Sequence, residues 1–530
     1  MRNPEDSNFC YYPFFQILVT AEGKYKPCSK HDDHIQHKGR ILTTKNATLE
    51  DAWNSDYMQQ MRHDFNHGIL FPGCAECWRM QKMGLRSMRY DSYQYGISEE
   101  QVANPVNPTR IEINSSNVCN LKCRICTPTA SSKWIKEGKD LYAWNQKIHD
   151  NLNGKNLEQI KRWAPNLTEL CFFGGEPLLS EENLILLDYL IREGYAKNIA
   201  LLFNTNGTVF NEEIEARLLP FKRVRFHFSI DDIGKRFEYQ RYGASWKTVE
   251  ENLHKVYRQS MTPAWKHIEF KICCTVSTLN IYYFPEFFTY LNTHLPGLKV
   301  LWNLLYDPWE FSVQVLPPQV KEIVRQRLLT IRPSYTLSEG ETKTMETLIK
   351  YLEHQVHKPF EEFFRLVNRH DVYRKESFAE TFPEFYQIIQ KYKPANLTPG
   401  GYDQYDLIQQ RMLTNISQYK YLNYFENLRD TVNLTEPRDT ETWNELSHVV
   451  LQALREIAAE INRDTSFEIK MHLLKELLEG HHFNQRDFLH DCCVYGLFRI
   501  YKSLCDISSA EINSLLLRKY PADMQYKYVN

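Results

Sequence analysis

The chain contains no long apolar run. Nowhere in its 530 residues does a stretch approach the roughly 20 consecutive apolar residues that a membrane-spanning helix needs. The N-terminal sequence, MRNPEDSNFCYYPFF, also lacks the charged-then-apolar layout of a signal peptide. We therefore expect a cytoplasmic protein with no membrane partner.

The sequence also lacks an excess of charge of either sign. Its 64 Lys and Arg nearly balance 66 Asp and Glu. A nucleic-acid partner, which favours a basic surface, is therefore not indicated. No repeat of fixed period and no low-complexity tract is present. The length predicts two to four domains, since one hydrophobic core rarely serves so long a chain.

Cysteine, by contrast, is plentiful, with 13 residues. Without an export signal, disulfides are disfavoured, and clustered cysteines more often bind metal or carry out redox chemistry. Seven cysteines fall into two clusters, which are Cys10, Cys28, Cys74 and Cys77, and Cys119, Cys123 and Cys126. The other six are Cys171, Cys273 and Cys274, which we interpret as core residues of apolar strands, and Cys492, Cys493 and Cys505 on C-terminal helical patterns.

Residues 109–316 alternate apolar segments with amphipathic ones. The predicted strands are 110–116, 167–175, 199–205, 223–230, 268–277 and 298–305. Strand and helix in repeated succession indicate a parallel sheet with right-handed crossovers. Six such units predict an open or partial barrel, because an eight-unit barrel would need more chain.

The flanking regions have different patterns. Residues 1–93 hold widely spaced cysteines and a predicted helix from Thr48 to about His67. Residues 94–108, with two prolines and two asparagines, are predicted to form a linker. Residues 317–530 have apolar residues at helical spacing. We expect a mostly α-helical domain there, for substrate recognition or oligomerisation.

The three-cysteine cluster follows the first predicted strand of the α/β region directly. Its spacing is C-x3-C-x2-C over Cys119, Cys123 and Cys126. Three thiolates on a [4Fe–4S] cube leave one iron open, which suits an enzyme that brings a small molecule onto the metal. A structural zinc site is the alternative, but it uses four ligands, and no further His or Cys lies nearby in sequence.

This motif, after the first strand of a six-unit α/β region, resembles the radical S-adenosylmethionine (SAM) superfamily. The resemblance implies a partial (β/α)6 barrel in which SAM chelates the open iron. It further implies reductive cleavage of SAM to methionine and a 5′-deoxyadenosyl radical, which abstracts hydrogen from a substrate. An electron donor such as flavodoxin or ferredoxin is an implied partner.

Segments at later strand ends match the same family in order. The resemblance assigns the methionine amino group to a Gly-Gly-Glu-Pro segment and places the following NTNG segment near the cofactor. The residues concerned are Gly174, Gly175, Glu176 and Pro177, and Asn206 within Asn204 to Gly207.

The fourth and fifth strands supply the remaining matches. Ser229 and Asp231 match positions that contact the ribose, and Val276 begins the segment to Asn280 where adenine packs. Arg241 matches an arginine that binds the methionine carboxylate. An ordinary solvated surface arginine is an equal alternative for Arg241, since long charged side chains are usually exposed.

The N-terminal cluster has the pattern C-x12-G-x4-C followed by C-x2-C. It consists of Cys10, Gly23, Cys28, Cys74 and Cys77. Four thiolates make a closed site, for which both zinc and [4Fe–4S] are chemically possible. Spacing alone favours zinc, because C-x2-C pairs are common in zinc sites.

With the intervening LEDAWNS segment, this pattern resembles the twitch module, the shortened form of the SPASM domain. The resemblance implies an auxiliary [4Fe–4S] cluster on the four cysteines. Only one is expected, since no cysteine follows Cys77 until Cys119. The family usually places this module after the barrel, whereas here it precedes it. We expect that the cluster could still cap the barrel mouth, the edge where the parallel strands end.

Taken together, the resemblances imply a radical enzyme whose auxiliary cluster relays electrons, so that oxidation or bond formation is the expected outcome. Peptides and small molecules remain alternative substrates. A cysteine of the C-terminal region (Cys492, Cys493 or Cys505) is a weak candidate for donating hydrogen to a substrate radical. A non-catalytic iron–sulfur or zinc scaffold, binding a partner through the helical region, is the alternative of a different class.

Overall fold

The computed structural model describes residues 8–397, except 83–86, 143–146, 306, 332–338, 355, 357–358, 395–396. Apart from Leu141 and Tyr142, these residues fall in one compact unit. Cys492, Cys493 and Cys505 lie outside the described residues, as does most of the expected helical domain. Within the part that is described, no helix is both long enough and apolar enough to cross a membrane.

An eight-stranded sheet organises the described chain. Its order is β10-β9-β8-β7-β6-β5-β1-β2, and β5 to β10 run parallel in sequence order. All six strands predicted for the α/β region are present, which confirms the partial (β/α)6 barrel. The strands of this sheet are β1 Gln16–Val19, β2 Tyr25–Lys26, β5 Arg110–Asn114, β6 Glu169–Phe173, β7 Ala200–Thr205, β8 Arg223–Ser229, β9 Ile268–Val276 and β10 Val300–Leu304. β3 Gln36–His37 and β4 Arg40–Ile41 pair with each other in a separate two-stranded sheet.

Helices cover one face of this sheet. The alternation in β8 puts Val224, Phe226 and Phe228 in the core, while Arg225 and His227 lie on the opposite, half-buried face. The helices that connect or flank β5 to β10 are Trp134–Tyr142, Gly154–Trp163, Glu181–Arg192, Glu212–Leu218, Gly234–Gln240, Trp246–Ser260 and Phe284–His294.

Shorter helices make up most of the N-terminal region, and a group of helices follows β10. Those in the N-terminal region are Tyr12–Phe15, Leu49–Trp53, Asp56–Asn66, Ala75–Lys82, Met88–Ser92 and Glu99–Ala103. Those after β10 are Pro318–Leu329, Glu339–Glu353, Glu361–Arg374, Phe378–Thr381 and Pro383–Ile389. The predicted helical character of the chain after residue 317 is therefore confirmed as far as residue 389.

The N-terminal region shares the sheet of the barrel. β1 pairs in parallel with β5, and β2 pairs antiparallel with β1. The turn between them contains Gly23 at φ +74°, where an added Cβ would lie 2.6 Å from Asn151 Oδ1. Asn151 Nδ2 donates to the carbonyls of Thr20 (2.9 Å) and Ala21 (3.0 Å). The shared sheet and these hydrogen bonds therefore attach the β1–β2 hairpin, which Cys10 and Cys28 flank, to the α/β region.

Two local predictions are corrected. The helix predicted from Thr48 to about His67 is two helices, because Ser55 ends the first and begins the second. Its Oγ donates to Ala52 O at 2.8 Å and accepts from Met58 N at 3.3 Å. The segment predicted as a linker contains the helix Glu99–Ala103, and Trp53 Nε1 donates to Pro105 O beyond it at 3.0 Å.

A buried ionic group ties β1, β5 and β6 together at the amino ends of the strands. Arg110 Nε donates to Glu169 Oε2 at 2.7 Å, and the same guanidinium contacts Gln16 and Glu112. All four side chains are buried. Each carboxylate is therefore compensated by the arginine, as burial of charge requires.

Arg110→Met should lower the free energy of unfolding by about 3–5 kcal/mol, because it leaves the buried carboxylate of Glu112 without its cation, while Glu169 keeps its ion pair with Arg225. Urea denaturation followed by circular dichroism measures the change. The control is Arg223→Gln, which breaks an ion pair to Glu269 whose arginine side chain is 59% exposed, and should cost less than about 1 kcal/mol. Equal effects of the two substitutions would contradict this account.

Candidate functional site

The loop that carries Cys119, Cys123 and Cys126 follows the carboxyl end of β5. Backbone hydrogen bonds attach it to the turn after the helix Gly234–Gln240: Lys122 N donates to Tyr242 O (3.0 Å) and Arg124 N to Gln240 O (2.8 Å). Trp134 Nε1 also donates to Cys123 O at 2.7 Å. The loop is therefore held in a fixed curl by contacts outside itself.

The three thiols of this loop come together. Cys119 and Cys123 are buried and Cys126 packs against them. A hydrogen bond from Cys126 lowers the pKa of Cys123 to about 7 and raises the pKa of Cys126, while burial raises the pKa of Cys119 to about 11. Three convergent thiols are a donor set that fits a [4Fe–4S] cluster with one open iron.

The two glycines after β6 let the next turn approach the cysteine loop. Gly174 and Gly175 have φ of +79° and +45°, in the region that favours glycine. A Cβ on Gly175 would lie 2.2 Å from Val118 O, next to Cys119. The following amide, Glu176 N, donates to that same carbonyl at 2.8 Å. Pro177, itself buried, then begins a turn of 3₁₀ helix, Pro177–Leu179.

Glu176 fixes the end of β7. Its buried carboxylate accepts from Asn206 N (2.6 Å), Thr205 Oγ1 (2.8 Å) and Leu178 N (3.2 Å). Burial raises its pKa to about 7, although these hydrogen bonds act to lower it. Asn206 in turn places Nδ2 3.9 Å from Cys119 Sγ. Glu176 thus acts on the cysteine loop through Asn206.

Asp231 and Arg241 form a buried ion pair beside the same loop. Arg241 Nη2 lies 2.7 Å from Asp231 Oδ2, and Nη1 lies 3.9 Å from Cys123 Sγ. Arg241 is only 8% exposed, so the surface-arginine alternative is wrong. Its Nε has no hydrogen-bond partner among the described residues. The sequence motifs predict separate ligand contacts for these two residues, whereas in the structure they pair with each other.

Ser229 and Val276 have different surroundings. Ser229 ends β8 on the half-buried face, in register with Cys273 of β9. Cys273 is itself half-buried near Asp231 and Arg241, so the core interpretation holds for Cys171 and Cys274 but not for Cys273. The Val276 side chain is fully buried and is not brought together with the others.

The four N-terminal cysteines converge in a second place. Cys10, Cys28, Cys74 and Cys77 line one cavity. Burial raises the pKa of Cys10 to about 12 and also raises those of Cys28 and Cys74. Metal binding would therefore release protons, since the thiolate is the ligand. Four thiols around one cavity fit a fully ligated cluster.

This cavity lies at the amino edge of the sheet. Gln16, the first residue of β1, pairs with Arg110, the first residue of β5, and Cys10 precedes that strand. Cys28 follows β2, which runs back toward the same edge. The three-cysteine loop follows the opposite, carboxyl edge. The expectation that the N-terminal cluster caps the barrel mouth is therefore wrong.

His31 is a residue of this cavity that the sequence analysis missed. It lines the cavity with the four cysteines, and its Nδ1 lies 3.5 Å from Cys74 Sγ. The available signal was its position three residues after Cys28.

Within the described ranges, no three His, Cys, Asp or Glu side chains converge closely enough to hold a single metal ion.

Two family models match the chain, and each matched range contains one of the cysteine sets. Residues 113–268 match the radical SAM superfamily, and residues 10–78 match SPASM, an iron–sulfur cluster-binding domain. The chain therefore contains a radical SAM domain and, before it, a SPASM domain. Binding of SAM and of iron–sulfur clusters follows from these two domains.

The individual proteins to which the chain is similar are distant, and it covers only part of their length. GTP 3′,8-cyclase of Syntrophomonas wolfei is 28% identical over 163 residues, which cover 30% of this chain and 45% of the relative. The structure of anSMEcpe with bound AdoMet and Cp18Cys peptide is 19% identical, covering 42% of this chain and 58% of that one, with a TM-score of 0.30. Streptococcus suis SuiB bound to S-adenosylmethionine is 13% identical, with coverages of 65% and 71% and a TM-score of 0.28.

A helix that follows the radical SAM domain in sequence supports its cysteine loop. Arg124, fully buried between Cys123 and Cys126, places Nη2 2.7 Å from Asp371 Oδ1 and 2.8 Å from Glu376 Oε2. Asp371 lies in the helix Glu361–Arg374 and Glu376 just beyond it. The sequence analysis missed this contact, since nothing local links Arg124 to residues about 250 positions away.

A second ionic contact reinforces the first. Arg374 Nε donates to Glu137 Oε1 at 2.8 Å, and Lys122 Nζ donates to the other oxygen of Glu137 at 2.6 Å. Glu137 and Arg374 are buried. The helix Glu361–Arg374 therefore contacts the loop directly through Arg124 and indirectly through Glu137 and Lys122.

Gly175→Ala should lower the iron content of the radical SAM protein by about four atoms per chain, the content of one [4Fe–4S] cluster. The reason is the contact between the added Cβ and Val118 O, which displaces the cysteine loop. Iron analysis after anaerobic reconstitution measures the loss. Gly194→Ala is the matched control, because Gly194 also has positive φ (+76°) but nothing within 4 Å of an added Cβ. Equal iron loss in both variants would attribute the effect to backbone strain instead.

Arg124→Met should also lower iron retention, because it removes the cation between two cysteines and breaks the ion pairs with Asp371 and Glu376 that hold the loop to the helix. The rate of iron release to a chelator measures the effect. The control is Arg192→Met, which removes a cation whose side chain is 69% exposed. An unchanged release rate in Arg124→Met would show that the helix Glu361–Arg374 does not hold the loop.

Proposed function

We propose that this chain cleaves SAM at a [4Fe–4S] cluster held by Cys119, Cys123 and Cys126 and abstracts hydrogen from a substrate. The observation that carries the proposal is the convergence of the three thiols, two of them buried, beside the buried Asp231–Arg241 pair. When bound, the reduced cluster would supply one electron to SAM, giving methionine and a 5′-deoxyadenosyl radical. An external donor such as flavodoxin or ferredoxin would supply that electron.

The chain's own residues would bind and orient SAM. Arg241 holds a buried positive charge next to Cys123, where it can bind the methionine carboxylate while Asp231 keeps its side chain in place. Gly174 and Gly175 allow close approach of the backbone to the methionine amino group. Ser229 lies on the half-buried face at the end of β8, where the ribose would be bound.

The four N-terminal cysteines would hold a second, fully ligated [4Fe–4S] cluster. Their common cavity supports this assignment. When bound, this cluster would supply an acceptor for one electron from the substrate radical, whose proton would pass to solvent, so that the substrate would lose two electrons in all. We therefore propose oxidation or bond formation as the reaction class.

Polar side chains line the barrel face on which the substrate would bind. Asn204, His227 and Lys271 are in register across β7, β8 and β9, and all three are half-buried. His227 Nδ1 lies 3.2 Å from Asn204 Oδ1, and burial lowers the pKa of His227 to about 4, so the ring is neutral. This lining favours a polar small molecule or a polar side chain of a peptide.

The reconstituted chain should contain about eight irons and release 5′-deoxyadenosine when given dithionite and SAM. Replacing Cys119, Cys123 and Cys126 with Ala should abolish that product and leave about four irons, because only the N-terminal set remains. Iron analysis and chromatography of the reaction mixture measure both quantities. A reaction without dithionite is the control. A chain loaded with eight irons that makes no 5′-deoxyadenosine would instead support a non-catalytic scaffold.

A further inference from the structure

His31 occupies a defined place in the N-terminal cavity. The residue is 1% exposed and lies with the four cysteines around the same space. Its two ring nitrogens face different groups: Nδ1 lies 3.5 Å from Cys74 Sγ, and Nε2 lies 2.7 Å from Tyr57 Oη. The imidazole thus bridges a cysteine of the proposed auxiliary cluster and a phenol.

The Tyr57 phenol and a ligating Cys74 sulfur together favour one tautomer of His31, because a thiolate can only accept. Tyrosine is protonated at ordinary pH, so the Tyr57 hydroxyl can donate to Nε2. A neutral imidazole that accepts at Nε2 carries its hydrogen on Nδ1. That hydrogen faces Cys74 Sγ. The same arrangement, in which an outer partner fixes the tautomer of a histidine, is common around metal sites.

The surrounding backbone holds the ring in place. A Cβ on Gly73 would lie 2.3 Å from His31 Cε1, so glycine before Cys74 makes room for the ring. Lys26 Nζ donates to His31 O at 2.6 Å, and Asp32 N donates to Gly73 O at 2.8 Å. The ring therefore has little freedom to turn away from Cys74.

We propose that His31 is a positioning residue of the auxiliary cluster, which donates a hydrogen bond from Nδ1 to the sulfur of Cys74. The proposal rests on the proposed function, because it requires a cluster on the four N-terminal cysteines. A hydrogen bond to a ligating sulfur disperses its negative charge and stabilises the reduced cluster, so it raises the reduction potential. His31 thereby makes the cluster a better electron acceptor.

The test uses the full chain with Cys119, Cys123 and Cys126 replaced by Ala, so that only the auxiliary cluster is present. EPR-monitored redox titration then gives its midpoint potential. His31→Leu should lower the potential, because the donor is lost. His31→Asn should restore much of it, because the amide Nδ2 can donate from nearly the position of the ring Nδ1.

Two further variants separate this role from a structural one. Tyr57→Phe keeps His31 but removes the donor to Nε2, and should lower the potential by a smaller amount. His63→Leu, on the same helix Asp56–Asn66 as Tyr57 but with a side chain that is 59% exposed, is the matched control and should leave the potential unchanged. If His31→Leu loses its iron, the potential of Tyr57→Phe still shows whether His31 donates a hydrogen bond to the sulfur of Cys74.

Unchanged potentials in His31→Leu or Tyr57→Phe, with about four irons retained, would overturn the proposal. Pulsed EPR of the parent adds an independent measurement. Weak ¹⁴N coupling, typical of a hydrogen-bonded ring, supports the proposal, whereas coupling as strong as that of a directly bound imidazole would make His31 a ligand and overturn it. A parent that binds no iron would refute the auxiliary cluster itself.

Discussion

The proposed SAM site depends on the close approach of the turn after β6 to the cysteine loop after β5. Gly175 lies against Val118 O, and the next amide donates to that carbonyl. This contact brings the Glu176 side chain to the end of β7, where it accepts the amide of Asn206. Three consecutive strand ends are thereby fixed by one backbone contact. A side chain at position 175 would separate them.

Burial of charge determines how the rest of the site is assembled. Arg124, Arg241 and Glu137 are each nearly or fully buried and each has a partner of opposite charge. An unpaired charge at any of these buried positions would lower the stability of the folded state. The loop, the end of β8 and the helix Glu361–Arg374 must therefore be in place together. Binding of the proposed cluster would therefore be linked to the folding of this region.

Local patterns predicted much of this architecture. The six strands followed from apolar segments separated by amphipathic ones, and the two cysteine sets followed from spacing, because both signals lie within short stretches of chain. The pairing of Arg124 with Asp371 and Glu376 could not be predicted, since it joins residues about 250 positions apart. The position of the N-terminal cavity also required the register of β1 on β5.

Prediction from sequence was limited in a different way for the individual residues of the site. Family matching assigned Asp231 and Arg241 to separate parts of a ligand, but a motif does not reveal that two of its members bind each other. His31 carried only a weak signal, because its importance depends on Tyr57 and on Cys74, which are distant in sequence. Physical contacts of this kind become visible only in three dimensions.

The placement of β1 beside β5 also constrains the order in which the protein can fold during its synthesis. During synthesis, the β1–β2 hairpin leaves the ribosome about 90 residues before its parallel partner β5. Until β5 emerges, the hairpin presents an unpaired strand edge, which is prone to wrong pairing. Cys10 and Cys28 flank this hairpin. Completion of the N-terminal thiol site is therefore tied to the synthesis of the barrel, even though its four cysteines are all translated first.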